Sequence, residues 1–365
     1  MKLTTMLLQL LVASTLLSAL AACKQNDAAG PAAEPANVAH VSIMTFNVEN
    51  LFDNVNDPGK NDITFLALNE KQSDEHKAVC NEIDVDHWRD QCLNWDWSDD
   101  IIDRKLALVA GVILKVKDGR GPDIVALQEV ENLGILERLR NEHLGNAGYT
   151  GAILIEGDDL RGIDVAFLTR LPVVGSPTLH RIDFSDADEK RVVDTRGILE
   201  TTFELPDGSL LTGYAVHFPA PFHPTEMREA AYRHLNALHS ALPPGRPAFA
   251  AGDFNTTSVE DREKAMLERF VRPGWTVAHE VGCGGCPGTS YYARRDDWSF
   301  LDMVLWSPAE DGGEKATWAL RADSVQIANR APGQVRPDGT PWRFEMPAGT
   351  GVSDHWPVVV VIEFE

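Results

Sequence analysis

The stretch AGDFNTT at residues 251–257, together with SDHWPVVVV at residues 353–361, decides the fold of this chain. The first is a short apolar run that ends in an aspartate and, two residues later, an asparagine. The second is an apolar run that follows a serine, an aspartate and a histidine. Short runs of this kind, bounded by polar residues, are typical of β-strands. Five further runs have the same construction: MTFNVEN at 44–50, VALQEVEN at 125–132, RGIDVAFLTR at 161–170, YAVHFPAP at 214–221 and SFLDMVLW at 299–306.

The position of the polar residue within each run predicts that the runs meet at one edge. In sheets with antiparallel neighbours, the end of one strand lies beside the beginning of the next. The residues that end their runs are Asn47, Glu129, His217 and Asp253. The residues that precede or begin theirs are Asp302, Asp354 and His355. We therefore expect these side chains to lie close together, although they come from distant parts of the chain.

Helix and strand patterns alternate along the sequence. Apolar residues recur every three or four positions at about 100–117, which predicts an amphipathic helix, and a second helix is predicted at 133–144. A third helix follows Pro224 and is stopped by Pro243 and Pro244. Strands are predicted at 153–155, 165–168, 197–204, 210–216, 248–251, 301–306 and 358–364, with a hairpin turn at 206–208. This pattern indicates the α/β (α+β) class, with two packed, mostly antiparallel sheets flanked by helices.

The composition is that of an acidic globular protein. Of the 365 residues, 44% are hydrophobic and 24% are charged, which is enough apolar material for a sizeable core. The formal net charge is -22, which argues against binding of nucleic acid by a broad basic surface. A hydrolase that meets phosphate through a metal ion and a few local basic residues stays compatible with this charge.

Residues 1–22 have the pattern of a lipoprotein signal peptide. Lys2 precedes an apolar stretch at 7–20, and Leu20-Ala21-Ala22-Cys23 resembles the bacterial lipobox, in which Cys23 carries the lipid after cleavage. The alternative is an ordinary signal peptide cleaved near Ala21, with Cys23 incidental. We therefore expect an exported protein that a lipid anchors to a membrane, on the periplasmic or cell-surface side.

The remainder of the chain is predicted to contain a tether, one domain and an insertion. Residues 23–39 are rich in Ala and Pro and are expected to form a flexible tether, and the domain is predicted at 40–365. Within it, residues 53–99 form a long acidic insertion that contains three tryptophans. We expect a solvated lid there. Its aspartates are candidate ligands for a structural Ca²⁺, although EF-hand spacing is absent.

The cysteines other than Cys23 fit an exported protein, because thiols oxidise outside the cytoplasm. Cys80 and Cys92 lie in the insertion and are candidates for a disulfide that staples it. Cys283 and Cys286 form a single CxxC, which is too little for a zinc cage. We therefore interpret Cys283 and Cys286 as a structural disulfide or as part of a simple turn.

Several of the edge residues suit the metal-assisted hydrolysis of a phosphate ester. That reaction needs a cation to neutralise phosphate, an oriented water, a proton acceptor and a proton for the leaving oxygen. Glu129 is predicted to bind the metal, and hard oxygen ligands beside imidazoles favour Mg²⁺ or Mn²⁺. Asn47 and Glu49 are two residues apart on a strand and are expected to point the same way, toward phosphate and metal. Taken singly, each acid is also compatible with a solvated strand end.

Asp253 and Asn255 repeat that spacing. Asp253 is predicted to hold or deprotonate the attacking water, and Asn255 to position the phosphate oxygens, whereas capping of a turn is the alternative for both. Arg161 is predicted to contact a phosphate oxygen, because its guanidinium group suits phosphate geometry. A plain surface role for Arg161 is the alternative.

Two histidines are candidates for proton transfer. A lone histidine at the end of a strand is more often structural, so the assignment depends on its neighbours. His355 follows Asp354 and has Asp302 available to orient its ring. Asp164 is predicted to orient His217 in the same way. A carboxylate beside an imidazole fixes the tautomer and raises the pKa of the ring.

Together these residues resemble the endonuclease/exonuclease/phosphatase superfamily, typified by DNase I-like enzymes. The resemblance runs from about residue 41 to residue 365. It rests on the series Asn47-x-Glu49, Gln128-Glu129, Arg161-x-x-Asp164-Val165, His217, Asp253-x-Asn255, Asp302 and Ser353-Asp354-His355-x-Pro357. It implies a four-layer α/β/β/α sandwich and a Mg²⁺-dependent phosphoesterase. The histidine at position 217 is similar to that of the secreted nuclease and sphingomyelinase branches, whereas the abasic-site repair branch uses tyrosine.

The resemblance also implies a role for each matched residue. It implies that Glu129, Glu49 and Asp354 bind the metal and that Asn47 and Asn255 bind phosphate. Asp253 would handle the water, and His355 with Asp302 would stabilise the phosphate or act as the base. His217 with Asp164 would protonate the leaving group. We therefore predict an exported, divalent-metal-dependent phosphodiesterase, specifically a nuclease that hydrolyses DNA or RNA. The first alternative is a phosphoesterase for a phospholipid, a sphingolipid or a small phosphate ester, and the second is a non-catalytic binding module. We expect a monomer whose partners are its substrate and a membrane.

Overall fold

Two β-sheets that pack face to face lie at the centre of the fold. The computed structural model describes residues 39–184, 189–309 and 317–365. The strands of this part of the chain are β1 (His40–Leu51), β2 (Ile124–Val130), β3 (Gly151–Leu154), β4 (Asp164–Thr169), β5 (Thr178–His180), β6 (Ile198–Glu204), β7 (Leu210–His217), β8 (Ala248–Asp253), β9 (Thr276–Val277), β10 (Ser290–Tyr292), β11 (Asp297–Ser299), β12 (Asp302–Ser307), β13 (Trp318–Leu320), β14 (Gln326–Ile327) and β15 (Val358–Phe364).

Each large sheet is mostly antiparallel. The first sheet has the order β13-β15-β1-β2-β4-β3, and β14 also pairs with β15. The second has the order β5-β6-β7-β8-β12-β9, while β10 and β11 form a separate hairpin. One parallel pair occurs in each large sheet, β1 with β2 in the first and β7 with β8 in the second. The prediction of two mostly antiparallel sheets is therefore confirmed.

Helices cover the outer face of each sheet. The helices of the described residues are α1 (Asp74–Asn81), α2 (Asp86–Asn94), α3 (Asp99–Leu114), α4 (Leu133–Arg138), α5 (Glu189–Val192), α6 (Thr225–Ser240), α7 (Ser258–Lys264), α8 (Met266–Phe270) and α9 (Ala278–Gly282). One hydrophobic core lies between α3, α4 and the first sheet, a second between the two sheets, and a third between the second sheet and α6 with α8. These three cores separate four layers, so the predicted α/β/β/α sandwich is confirmed.

Strand β1 shows why its run is apolar at almost every position. Ile43 contributes to the core between the sheets, whereas its neighbour Met44 contributes to the core under α3. Side chains alternate between the two faces of a strand, and here both faces are covered. A strictly alternating polar pattern would therefore place polar groups in one of the two cores.

Most of the predicted elements form with small shifts at their ends. The helix predicted at 100–117 is α3, and the helix predicted after Pro224 is α6. The helix predicted at 133–144 is only partly α-helical, because α4 ends at Arg138 and a wider π-helical turn continues over Leu139–His143. The hairpin turn forms as predicted, with Gly208 at a φ of 83°. Glycine adopts this left-handed conformation without steric cost.

The acidic insertion at 53–99 is folded, so the expectation of a solvated lid is wrong. Helices α1 and α2 lie in it, and its aromatic residues form a small cluster on the outer core. Trp97 is fully buried, donates from Nε1 to the Phe52 carbonyl at 3.0 Å, and meets the Phe65 ring at 5.1 Å between centroids. Trp88, by contrast, is exposed. The aromatic content that distinguished this segment therefore anchors it to the domain.

Two disulfides connect the four cysteines of the domain. Cys80 is bonded to Cys92, which joins α1 to α2, and Cys283 is bonded to Cys286 in the turn after α9. The predicted signal peptide at 1–22, Cys23 and residues 24–38 of the tether lie outside the described residues. Within the residues that are described, every helix is too short or too polar to span a bilayer.

Asp123 fixes the beginning of β2 against β1. Its Oδ2 accepts hydrogen bonds from the Ser42 N–H at 2.8 Å, the Ser42 hydroxyl at 2.6 Å and Lys117 Nζ at 2.7 Å. Burial alone would raise the pKa of Asp123, but the hydrogen bonds from Lys117 and Ser42 outweigh it and hold the pKa below its ordinary value. Because the folded pKa is depressed, the carboxylate stabilises the fold above the unfolded pKa of about 3.9, and this contribution is lost as the pH falls through the lower folded value.

We predict that Asp123→Asn lowers the free energy of unfolding by about 2 kcal/mol at neutral pH, because one strong acceptor is lost together with the ion pairs to Lys117 and Arg170. The difference from wild type should shrink as the pH falls below about 4, where the carboxylate of the unfolded chain becomes protonated, and should vanish once the pH has passed the lower folded pKa. Urea denaturation at several pH values measures both effects. Asp118→Asn is the matched control, since Asp118 is exposed with a φ of 53° that asparagine tolerates. A deficit of Asp123→Asn that is independent of pH would contradict this account.

Candidate active site

The polar residues that were predicted to share one edge form a continuous cluster. Asn47 Nδ2 lies 3.1 Å from Asp253 Oδ2 and 3.4 Å from Glu129 Oε1. The same Asp253 oxygen lies 3.6 Å from Nε2 of His217 and 3.9 Å from Nε2 of His355. The His217 ring also lies 4.0 Å from Glu129. Residues from both sheets and from distant parts of the chain therefore meet around one small volume.

A bulge in the backbone turns Glu129 into this volume. Gln128 pairs with Val165 on β4 and Val130 pairs with Asp164, so Glu129 is an extra residue between them. Its φ is 65°, and across the other edge of β2 the partner strand has Glu49 and Asn50 at φ values of 54° and 60°. Non-glycine residues in this region cost about 1–3 kcal/mol each and concentrate at functional sites. The Asn50 N–H holds Glu129 by donating to Oε2 at 3.0 Å.

His355 is held by a buried carboxylate. Its Nδ1 contacts Asp302 Oδ2 at 2.7 Å, and Asp302 is fully buried at the start of β12. This contact fixes the ring so that Nε2 faces Asp253. Burial alone would lower the pKa of His355, but Asp302, Asp253 and Asp354 outweigh it and hold the pKa well above its ordinary value. The predicted contact between His355 and Asp302 is present.

Asp253 and Asn255 end β8 in a tight turn. The Asn255 N–H donates to Asp253 Oδ1 at 2.8 Å, and the Asn255 side chain donates to the Phe218 carbonyl at 2.9 Å. Asn255 has a φ of 52°, a conformation that asparagine adopts more readily than most residues. Burial raises the pKa of Asp253 to about 7, with His355 acting in the opposite direction and Asp302 adding to the rise. Both residues are buried in the wall of the site.

His217 has no carboxylate partner on the far side of its ring, so the predicted pairing with Asp164 is wrong. Among the described residues, His217 Nδ1 makes no hydrogen bond. Asp164 instead accepts from the Gly157 N–H at 3.0 Å, and its other oxygen is buried without a partner. The reason is that Asp164 belongs to β4 in the first sheet and braces the turn before that strand. Burial, followed by the charges of Arg196, Arg161 and His355, lowers the pKa of His217 well below its ordinary value.

Glu49, which was predicted to bind the metal, accepts hydrogen bonds from protein donors on both of its carboxylate oxygens. Its Oε1 accepts from Arg343, with Nε at 2.8 Å and Nη2 at 2.7 Å. Its Oε2 accepts from the N–H groups of Phe344 at 3.0 Å and Asp354 at 3.1 Å. Burial raises the pKa of Glu49 to about 7, and Asp354 adds to this rise while Lys105 and Arg343 oppose it. Both carboxylate oxygens therefore hold the chain segment around Asp354. Glu49 itself has a left-handed backbone conformation, with a φ of 54°.

Two arginines lie at the rim of the cluster. Arg161 donates to the Asn50 side chain at 3.0 Å and lies 4.0 Å from Glu129, with half of its side chain exposed. Arg343 is also half-exposed and lies 3.8 Å from Asp354. Arg161 was predicted from its position before β4. Arg343 was not, because it lies in the irregular stretch at 308–351, where the sequence has no periodic pattern that places a side chain.

The donor set fits a hard divalent cation. Glu129 and Asp354 offer carboxylate oxygens, and both lie near enough to Arg343 to raise the pKa of that side chain. Carboxylate oxygens in the absence of thiolates favour Mg²⁺, Mn²⁺ or Ca²⁺ over softer metals. Asp253, Asp302 and His355 also have ligand atoms within 4.8 Å of one another. In that group, however, Asp302 Oδ2 contacts His355 Nδ1 at 2.7 Å, so Asp302 orients the imidazole ring. Glu129 and Asp354 are therefore the candidate protein ligands.

Comparison with known proteins agrees with this geometry. Residues 44–355 match the endonuclease/exonuclease/phosphatase family. Among proteins with curated descriptions, none matches the chain. A solved endonuclease/exonuclease/phosphatase from Beutenbergia cavernae is 15% identical, with 89% of this chain and 72% of that chain covered and a TM-score of 0.53.

Two other solved structures share the fold. An endonuclease/exonuclease/phosphatase from Bacteroides vulgatus is 18% identical, with coverage of 89% of this chain and 99% of that chain and a TM-score of 0.52. A humanized D. rerio TDP2 is 14% identical, with coverage of 88% and 98% and a TM-score of 0.54. The chain has the four layers, the cluster of acids and histidines, and a match to the family over most of its length. It therefore belongs to the endonuclease/exonuclease/phosphatase family, whose members are phosphoester-hydrolysing enzymes.

Proposed function

We propose that this chain is an exported phosphodiesterase that uses Mg²⁺ or Mn²⁺ to hydrolyse nucleic acid. The observation that carries the proposal is the chain of contacts from Glu129 through Asn47 and Asp253 to His355. This arrangement brings a candidate metal ligand, an amide, a buried acid and an oriented imidazole to one place. Those are the groups that hydrolysis of a phosphate diester requires.

We assign the chemistry as follows. A bound divalent cation would neutralise charge on the phosphate and lower the pKa of an attacking water. Glu129 and Asp354 would hold that cation, and the side-chain amide of Asn47 would contact the phosphate. Asp253 is buried beside both imidazoles and would orient the water and accept its proton. His355, charged and fixed by its buried partner, would stabilise the negative phosphate.

His217 is assigned the transfer of a proton to the leaving oxygen. Its Nε2 faces the cluster from the side opposite to its unpartnered Nδ1. Burial and then the neighbouring positive charges lower the pKa of His217 and disfavour its protonation in the free protein. A bound phosphate brings negative charge to the same volume, which favours the imidazolium form that can donate. Asn255 was predicted to position phosphate oxygens. Because its Nδ2 donates to the Phe218 carbonyl, we assign it instead to holding the turn that carries Asp253.

A polymeric substrate is favoured by the two arginines at the rim. The half-exposed side chains of Arg161 and Arg343 lie on either side of the acids and can meet phosphates that flank the reacting one. Such local cations allow a protein of net charge -22 to bind nucleic acid at one place only. A lipid substrate stays the second candidate, because Phe222 is exposed five residues after His217. The burial of Trp97 removes one of the aromatic side chains that would otherwise support lipid contact.

Export and anchoring by a lipid on Cys23 are also part of the proposal. They are supported by the sequence of residues 1–23 and by the two disulfides of the domain, which are typical of proteins that fold in oxidising compartments. We further propose that the domain acts as a monomer on the outer side of the membrane that holds it.

We predict that chelation abolishes hydrolysis of plasmid DNA or RNA and that added Mg²⁺ restores it. His217→Ala should lower kcat by about 10²–10⁴, the usual scale for a positioned proton donor. Rates on plasmid, RNA, sphingomyelin and a phosphomonoester, each with and without Mg²⁺, measure the effect and select the substrate class. His143→Ala is the matched control, because His143 lies on another face, where it pairs with Asp103. A full-rate His217→Ala enzyme would remove its assigned role, and a preference for sphingomyelin would overturn the assignment to nucleic acid.

We predict different effects on metal binding for the two glutamates near the site. Glu129→Gln should weaken Mn²⁺ binding by about 10²-fold or more, since one anionic ligand is lost. Glu49→Gln should change the Mn²⁺ affinity by less than about fivefold while lowering thermal stability, because the ion pair between buried Glu49 and half-exposed Arg343 is lost. Titration calorimetry with Mn²⁺ measures the affinities. Equal losses in the two variants would restore Glu49 as a ligand.

We predict that Cys23→Ser releases the protein from membranes. Fractionation of cells that express the full chain, followed by immunoblotting of the soluble and membrane fractions, measures this. Cys80→Ser with Cys92→Ser is the control for loss of thiols in general and should leave the membrane fraction unchanged. Persistent membrane association of Cys23→Ser would count against lipidation.

A further inference from the structure

We propose that the beginning of the acidic insertion forms a second metal site, which binds Ca²⁺ between Asp57, Asp62 and Glu131. One carboxylate oxygen from each of these residues lies within 4.8 Å of the others. Ca²⁺ binds oxygens at about 2.3–2.6 Å, so ligands on opposite sides of the ion are about 4.6–5.2 Å apart. The three oxygens are therefore close enough together to share one calcium ion.

The group is separate from the catalytic cluster. It includes none of the residues assigned to phosphate chemistry, and its ligands are oxygens without any imidazole or thiolate. Purely oxygen sites built from several carboxylates are typical of Ca²⁺, whereas Mg²⁺ usually keeps several waters and uses fewer protein ligands. The site would be completed by water molecules or backbone carbonyl oxygens.

Asp62 is the observation that points to a ligand. Its side chain is 2% exposed, and Oδ2 accepts from the Asp57 N–H at 2.8 Å. Its other oxygen, Oδ1, is buried and has no hydrogen-bond partner in the part of the chain that the structure describes. Leaving a buried carboxylate oxygen without a donor or a cation costs substantial free energy. A metal ion between the three carboxylates removes this cost.

The protein supplies no positive charge to balance the group. Within residues 39–184, 189–309 and 317–365, no Lys or Arg forms an ion pair with Asp57, Asp62 or Glu131. A fourth acid, Asp53, is adjacent, and its N–H donates to Glu131 Oε2 at 2.6 Å. Lys60 lies in the same loop but turns away, donating to the carbonyls of Gly157 and Asp159.

Calcium at this position would stabilise the segment that carries Arg161. The loop meets that segment through Lys60 and through the Asn61 N–H, which donates to the Leu160 carbonyl. The adjacent Arg161 side chain reaches toward Glu129. This consequence for Arg161 rests on the proposed function, whereas the binding of calcium does not.

Calcium binding by the purified full-length protein tests the proposal. After treatment with EGTA, equilibrium dialysis against radioactive calcium should detect a class of sites that Asp62→Asn weakens by about tenfold or more. Asp84→Asn is the matched control, since Asp84 is an exposed acid of the same insertion. Glu129→Gln should keep this class of sites, which separates it from the catalytic metal. Identical calcium binding in wild type and Asp62→Asn would overturn the proposal.

Thermal unfolding gives a second readout that does not depend on activity. Calcium at about 100 times its Kd should raise the Tm of wild type by about 3–5 °C and leave that of Asp62→Asn unchanged. In EGTA the order should reverse, with Asp62→Asn melting at or above wild type, because an uncompensated charge has been removed. Glu131→Gln, which keeps the acceptor for Asp53, replaces Asp62→Asn if the latter does not fold. If Mg²⁺ alone gives the full rise in Tm and calcium adds nothing, the assignment to Ca²⁺ is overturned. If calcium binds but the protein does not hydrolyse the substrate, only the proposed function is overturned.

Discussion

The side-chain amide of Asn47 is the contact on which the site depends. Asn47 belongs to the first sheet, and its Nδ2 reaches both Glu129 in that sheet and Asp253 in the second sheet. One donor group therefore sets the distance between acids that are carried by different layers. The backbone carbonyl of Asn47 adds a second link by accepting from the Ser353 hydroxyl at 2.7 Å, just before Asp354. Apolar contacts between the two sheets do not fix polar groups in one direction, and this amide adds a directional contact between them.

The same region concentrates buried charge that a structural core would avoid. Glu49 and Asp253 are both buried, and burial is the largest cause of the raised pKa of each carboxyl. Lys105 is fully buried nearby, with its Nζ donating to the Val352 carbonyl at 2.6 Å. Groups held in this way lower stability in exchange for fixed positions, which is common in enzymes. The three hydrophobic cores supply the stability that this region gives up.

The sequence was sufficient for the layers and for the members of the cluster, but not for the partners of each acid. Period-two and period-3.6 patterns identify strands and helices, and polar residues at the strand tips identify Glu129, His217 and His355 as neighbours. The pairing of Glu49 with Arg343 could not be read from the sequence, because Arg343 lies in an irregular stretch almost three hundred residues away. The role of Asp164 was misassigned for a related reason, since its nearest donor comes from the turn before its own strand. Left-handed residues at the bulge reverse the direction of side chains, and alternation along an ideal strand does not describe them.

The pairing of β1 with β15 has a consequence for how the protein is made. His40 lies opposite Glu363, so the first strand of the domain is completed by its last one. Asn47 and His355 flank this seam, and a nascent chain that lacks its final segment has neither the imidazole nor the closed first sheet. Hydrolytic capability therefore arises only after residues 355–364 have been synthesised. We also expect slow folding, because β1 and β15 are far apart in sequence. The conformational entropy of closing that long loop is lost before the hydrogen bonds and contacts between the two strands form.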